Sequence, residues 1–291
     1  MENADLAKVT GLTATMLESG KPKLHWNKVS GAEDYDVCRA TSETGTFSKI
    51  YTATSNGKTD SSAALNRVYY YKVRAHAGSK YGPYSDVKAY VPTVNVTKIA
   101  NVYIEGEAKG IRISWDKIKG VKAYQIYRKG SNESSFRKIA TVGSGHVQYD
   151  DSDVVNGRIY EYKIRAYVNT SAGAVMGSFC TPVSIKRMTV PTIQSSWTGP
   201  DAEYIKITWK KVTGATGYQI YYNDLKDYGV LSPKWVRLGS TTGLSYTDNA
   251  PEIHGSWGIA YKVRAYYKRP DGTYDYSAFS DYDSYYFFDG D

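Results

Sequence analysis

Apolar and polar positions alternate with a period of two along most of the chain. Leu24 and Trp26, then Ile111, Ile113 and Trp115, then Ile205, Ile207 and Trp209 are separated by His, Arg, Ser, Lys and Thr, the pattern of a strand with one buried face. A second strand follows each of these. Tyr35 and Val37, Tyr124 and Ile126, Tyr218 and Ile220 point inward, with Asp36, Gln125 or Gln219 between them on the outer face. A third apolar run covers Phe47–Ile50, Phe136–Ile139 and Trp235–Leu238. An acidic turn is expected next, at Asp60, at Asp150 and Asp151, and at Asp248, followed by a strand that buries Tyr69, Tyr71, Val73 and Ala75 and exposes Lys72 and Arg74. A last strand falls near Val87, Val183 or Tyr282. No helical period of useful length occurs, so the pattern predicts an all-β protein.

These elements occur three times. Tyr-Lys-Val/Ile-Arg-Ala stands at Tyr71–Ala75, Tyr162–Ala166 and Tyr261–Ala265, with steps of 91 and 99 residues, while Trp26, Trp115 and Trp209 step by 89 and 94. Gly31-Ala32 then Tyr35, Gly120-Val121 then Tyr124, and Gly214-Ala215 then Tyr218 keep the same order. A repeat of roughly 100 residues is a whole domain rather than a solenoid turn. The expected division is 1–92, 93–189 and 190–291. The joins Val91-Pro92-Thr93 and Val190-Pro191-Thr192 are short and carry proline, which limits swivel.

The Trp of the second strand, the Tyr-x-Val/Ile of the third and the Tyr-x-Tyr-Lys-Val/Ile-Arg-Ala strand together resemble a fibronectin type III module. The stretch Trp115–Tyr124 is similar to the modules of bacterial secreted and cell-surface proteins. The resemblance covers residues 8 to 288 and implies three tandem seven-stranded immunoglobulin-like β-sandwiches in an elongated array. It also implies a tyrosine corner at Tyr69 and Tyr160, which Ile259 interrupts in the third repeat. Members that bind integrins carry Arg-Gly-Asp before the last strand. Here the turn reads Arg269-Pro270-Asp271-Gly272, so integrin binding is not expected.

Composition changes this picture little. Tyr contributes 29 residues and Phe 6, an aromatic supply suited to a half-buried pleated surface. The formal net charge of +8 is concentrated in the middle repeat, where 15 Lys/Arg face 8 Asp/Glu. These cations alternate with core residues along strands, so they read as a solvated sheet face and not as a nucleic-acid site. Nothing in the chain has the length and apolarity of a membrane span, and Met1 to Thr10 lack signal-peptide order. Met1 to Asp5 read as a cloning remnant. The chain is expected to be monomeric.

Candidate chemistry is sparse. His25, His76, His146 and His254 are scattered, and no metal spacing, nucleophile elbow or phosphate loop occurs, so no catalysis, cofactor or metal is expected. Asp150-Asp151-Ser152-Asp153 is dense in hard oxygen ligands but lacks the glycine and terminal Glu of a calcium loop, and a polar turn is the expected role. Cys38 and Cys180 fall at non-equivalent positions and read as free thiols, with Cys38 expected to be accessible beside Arg74. Tyr127 over Arg165 and Tyr221 over Arg264 are expected cation–π pairs. The third repeat is the divergent copy. Its Trp197, Tyr222, Tyr228 and Trp257 form the candidate ligand-binding patch, for a glycan or a protein partner. The expected function is a non-catalytic extracellular spacer or interaction region of a bacterial surface or secreted protein; the alternative is an adhesin segment binding carbohydrate or a host ligand through the third repeat.

Overall fold

The computed structural model of the chain describes residues 6–104, 107–197, 204–226, 230–249 and 258–286. The described residues form strands and loops alone, arranged as three β-sandwiches. None of them forms a helix long and apolar enough to cross a membrane.

The first sandwich contains β1 (Thr13–Met16), β2 (Pro22–His25), β3 (Asp34–Ala40), β4 (Ser48–Ala53), β5 (Gly57–Thr59), β6 (Tyr69–Ala77), β7 (Lys80–Tyr81) and β8 (Lys88–Tyr90). The second has β9 (Val96–Ile104), β10 (Glu107–Trp115), β11 (Ala123–Gly130), β12 (Arg137–Gly143), β13 (Gln148–Asp151), β14 (Ile159–Thr170), β15 (Gly173–Met176) and β16 (Val183–Lys186). The third has β17 (Ile193–Trp197), β18 (Ile205–Trp209), β19 (Gly217–Lys226), β20 (Val230–Leu231), β21 (Val236–Thr241), β22 (Ser245–Asp248), β23 (Gly258–Lys268), β24 (Tyr274–Tyr276) and β25 (Asp283–Tyr286).

Each sandwich sets a three-stranded sheet, β1-β2-β5, β9-β10-β13 or β17-β18-β22, against a larger antiparallel sheet led by the third strand and the motif strand. The last strand of the larger sheet is split into β7 and β8, β15 and β16, or β24 and β25. With the two halves of that last strand counted as one, each sandwich has seven strands, and the third adds β20. The split has a local cause. Ser85 Oγ accepts the N–H of Val73 at 3.1 Å, and Ser280 Oγ that of Val263 at 3.0 Å, where ladder hydrogen bonds would run. In the second sandwich Cys180 Sγ takes the N–H of Ile164 at 3.2 Å. Its thiol is buried and free, and burial pushes its pKa up.

The cores explain the sequence landmarks. Trp26, Trp115 and Trp209 are buried and meet Tyr35, Tyr124 and Tyr218 with ring centroids 5.4, 5.3 and 5.2 Å apart. The hydroxyls of these tyrosines accept the N–H of Val29, Ile118 and Val212 at 2.9, 2.8 and 2.9 Å. The spacing from Trp to Tyr is therefore set by one turn that satisfies a buried backbone donor. Tyr69 and Tyr160 make the expected corner, accepting the N–H of Ala64 at 3.0 Å and Val155 at 2.9 Å. Ile259 is fully buried at that place in β23.

The acidic positions differ from expectation. Asp151 and Asp248 end strands β13 and β22, and Asp60 directly follows β5; all three are buried. Tyr71, Tyr162 and Tyr261, the first residues of the repeated motif, donate their hydroxyls to these carboxylates at 2.7 Å each. Arg39 and Arg128 join Asp60 and Asp151 at 2.7 and 2.8 Å. A buried carboxylate is tolerated only with such partners, so these aspartates are core residues rather than turn residues.

Candidate functional site

Two features repeat beyond the cores: an ordered outer face on each larger sheet, and the joints between sandwiches.

On the outer face, the motif lysine lies between two rings in all three copies. Lys72 sits 4.7 Å from Phe47 and 4.1 Å from Tyr84, Lys163 4.4 Å from Phe136 and 4.2 Å from Phe179, and Lys262 4.0 Å from Trp235 and 4.3 Å from Phe279. The motif arginine stacks beside it. Arg165 lies 5.5 Å from Tyr127 and 4.6 Å from Phe179, and Arg264 lies 5.5 Å from Tyr221 and 3.9 Å from Tyr276. The two expected cation–π pairs are present, and each guanidinium also bonds a residue of the neighbouring strand, Arg165 to Gln125 and Arg264 to Gln219, both at 2.9 Å. In the first sandwich Asp36 takes the glutamine's place, holding Arg74 at 3.0 Å and Lys49 at 2.6 Å. Burial alone would raise the Asp36 pKa, but the hydrogen bonds and charges of Lys49 and Arg74 bring it below the usual carboxylate value. Asp36, Gln125 and Gln219 are all buried beneath this layer. The face is thus a packed cation–aromatic surface rather than a freely solvated one.

Cys38 corrects an expectation. It is buried, with Sγ 3.7 Å from the Tyr84 hydroxyl, because the ring that stacks on Lys72 and Arg74 also covers the thiol.

The joints use the same turns twice. Between the first and second sandwiches, Val68 N donates to Lys119 O and Lys119 N to Asn66 O, both at 2.9 Å. Val68, Tyr70 and Ala89 share one buried cluster with the core of the second sandwich. Glu43 accepts from the amide and hydroxyl of Ser171, the latter at 2.7 Å. Between the second and third sandwiches, Gly157 abuts Thr213 and Gly214: a Cβ on Gly214 would lie 2.8 Å from Gly157 Cα and 2.6 Å from Lys186 Cε.

Around this shared contact the chemistry diverges. Ladder registers make Met16, Val91 and Val175 of the first joint equivalent to Asn101, Lys186 and Asp275 of the second. The first set is apolar. In the second, Asn101 is buried and spends its whole amide: Nδ2 donates to Lys186 O and Tyr276 O, both at 3.0 Å, and Oδ1 accepts from Met188 N at 3.1 Å and Arg187 Nη1 at 3.3 Å. Asp275 accepts Lys186 N at 2.9 Å and Arg269 Nη2 at 2.7 Å, and Arg269 reaches Ser184 Oγ at 2.9 Å. Arg187 is buried with neutral acceptors, including Gly110 O at 3.1 Å and Met188 O at 3.0 Å; burial lowers its pKa. Residue composition gave no signal for this cluster, because its members lie up to 175 residues apart.

Of the four candidate ligand-binding residues, Tyr222 is the one whose side chain is described. It is half-buried against the third core and pairs with Tyr261, at the place where Arg39 pairs with Tyr71 and Arg128 with Tyr162. It substitutes for the arginine that neutralises the buried aspartate, so the structure puts it in the wall of the core. Trp197 ends β17, paired with Ile205, and its side chain lies outside the described residues, as do Tyr228 and Trp257. The acidic run of the second sandwich is engaged by arginine. Asp150 binds Arg112 at 2.6 Å, Asp151 and Asp153 bind Arg128 at 2.8 and 3.1 Å, and Asp153 also meets Arg137 at 3.4 Å. Its oxygens are therefore committed to guanidinium groups.

Sandwiches with this strand order, split last strand and tyrosine corner have the fibronectin type III fold, repeated in tandem along the chain. Among curated proteins, the chain is 32% identical to an amylopullulanase of Thermoanaerobacter thermohydrosulfuricus over 42% of its length and 7% of that protein's. It is 26% identical to exoglucanase B of Cellulomonas fimi, covering 88% of this chain and 24% of that one. It is 23% identical to the tRNA nuclease WapA of Bacillus subtilis, covering 90% and 12%. The chain thus spans a quarter or less of each of these relatives. Among solved structures, a Fn3-like protein from Clostridium thermocellum is 35% identical, matching 28% of this chain and 86% of that one with a TM-score of 0.27. A two-module fibronectin type III segment of chicken tenascin is 15% identical over 62% and 97%, with a TM-score of 0.37. No family model matches the chain.

Proposed function

We propose that the chain is a non-catalytic spacer region of a longer secreted or cell-surface bacterial protein, holding the parts on either side of it at a fixed separation. The observation that carries this reading is the joint around Asn101, where one buried amide is shared by the second and third sandwiches. A spacer needs joints that resist bending, and a buried, fully satisfied polar network favours one geometry over its neighbours. The relatives support the same reading. Their names give them different activities, on polysaccharides in two cases and on tRNA in the third, while the matched segment is of one kind. A segment common to such different proteins is not the part that selects the substrate.

Small-angle X-ray scattering of the whole chain tests the proposal. Three sandwiches end to end give a largest dimension on the order of 100 Å and a profile fitted by one rigid shape. A compact profile, or one that requires an ensemble of bent forms, overturns it.

A further inference from the structure

The three outer faces share their aromatic scaffold but differ in charge. In the first sandwich the cations Lys49 and Arg74 face Asp36, and His76 faces Asp34. The second and third sandwiches replace that buried acid with Gln125 and Gln219. On the second face, Lys129 is paired with Glu161 at 2.9 Å, and Arg137 lies near Glu133 and Asp153. Lys138, Lys163 and Arg165 have no carboxylate partner among the described residues. Lys138 and Lys163 flank Tyr127 on its two neighbouring strands, and Lys163 and Arg165 are two residues apart on β14, roughly 6 to 7 Å along the strand. The third face repeats the set with Arg237, Lys262 and Arg264.

We propose that the outer faces of the second and third sandwiches bind a linear acidic glycan, a polysaccharide carrying closely spaced carboxylate or phosphate groups. Three arguments favour this occupant. The cations form a flat row with uncompensated charge, which attracts an extended polyanion. The side chains of Lys163, Arg165, Lys262 and Arg264 are already held by ring stacking, so binding orders little of them that was free. The ring faces are occupied by these cations, which leaves no open stacking platform of the kind single-stranded nucleic acid uses, and a flat sheet enters neither groove of a duplex. The first sandwich is the internal control, since its carboxylates neutralise the equivalent row.

The test is calorimetric titration of the whole chain with polygalacturonate and with a phosphomannan, using neutral pullulan and poly(dT) for comparison. Saturable binding to either acidic polymer that weakens with added salt is expected. The double variant Gln125→Asp/Gln219→Asp, which copies the first sandwich, should weaken it about five- to tenfold, and Lys138→Gln should weaken it less. Asp36→Asn should add binding. Preference for one polymer identifies carboxylate or phosphate as the recognised group. Unchanged affinity in the double variant, equal binding of pullulan, or tighter binding of poly(dT) than of both acidic polymers overturns the proposal.

Discussion

Tyr162 shows what the repeated motif does at the scale of one residue. Its ring is fully buried and its hydroxyl donates to Asp151, which Arg128 also holds. Tyr162→Phe keeps the ring and removes one donor from a buried carboxylate, so thermal denaturation should show a loss of ~1 to 3 kcal/mol in the second sandwich. Trp115→Ala, which empties the space against Tyr124, should cost more, ~3 to 5 kcal/mol. In the first sandwich the same arrangement gives a pH dependence. Burial would raise the Asp60 pKa, but hydrogen bonds from Tyr71, Ser62 and Arg39 and the Arg39 charge bring it below the ordinary value. A carboxyl lowered on folding stabilises above its unfolded pKa of about 3.9, and that stability is lost as pH falls below it toward the folded value. Acid titration should therefore unfold the first sandwich below about pH 4, and Tyr71→Phe should move the midpoint upward; an unmoved midpoint would remove Asp60 from the acid transition. The inner residues of this motif were legible from period two alone. The carboxylate was not, because an aspartate before a strand reads locally as a turn, and only the opposing sheet shows that Tyr and Arg converge on it. Cys38 misled for a related reason: its cover, Tyr84, comes from the far side of the motif strand. Tyr222 looked like an added exposed aromatic because the arginine position it fills is defined by cross-strand register.

At the scale of elements, the glycine that opens each third strand has two roles that the sequence shows as one. Gly31, Gly120 and Gly214 adopt φ of 76, 89 and 83°, where an L side chain is strained by about 1 to 2 kcal/mol. Only two of the three also touch another sandwich. A Cβ on Gly31 would have 3.8 Å of clearance to Leu6, whereas on Gly120 it would lie 3.2 Å from Val68 Cβ and on Gly214 2.8 Å from the backbone of Gly157. The turn predicts equal costs for Gly→Ala at the three sites, and the joints predict unequal ones. Gly31→Ala should lower stability by the strain alone, Gly120→Ala by slightly more, and Gly214→Ala by the most, with increased protease cleavage between 187 and 192. Equal losses in the three variants, read by differential scanning calorimetry, would show that the joints yield without resistance. The successive strands and the three cores followed from alternation and repetition, whereas the split of the last strand did not, since Ser85, Cys180 and Ser280 interrupt it through contacts with the motif strand. The joints did not, because each is built from turns whose sequences already suffice to explain a turn.

For the whole molecule, the two joints join similar sandwiches with different chemistry, and this difference predicts which groups hold the second joint in place. At the first joint the equivalent positions Met16, Val91 and Val175 are apolar, and the hydrogen bonds come instead from Val68, Lys119 and Ser171. Asn101, Lys186 and Asp275 give the second a set of directional hydrogen bonds, two of them to the charged Arg269 and Arg187. Hydrogen bonds to charged groups contribute ~1.5 to 3 kcal/mol each, and breaking one side leaves the other buried and unsatisfied. Asp275→Val, which imports the residue of the first joint, removes the acceptor of both Arg269 and Lys186 N without altering the strand it sits on. It should leave the melting of the isolated third core nearly unchanged while freeing the second joint. The measurement is distance distribution between spin labels on Ser134 and Thr241, one in each of the two sandwiches and both exposed or half-exposed. A narrow distribution in the parent chain that broadens in Asp275→Val, with no broadening across the first joint, places the stiffness in the polar network. A distribution equally narrow in both chains would instead assign it to the Gly157–Gly214 contact, which the substitution leaves intact.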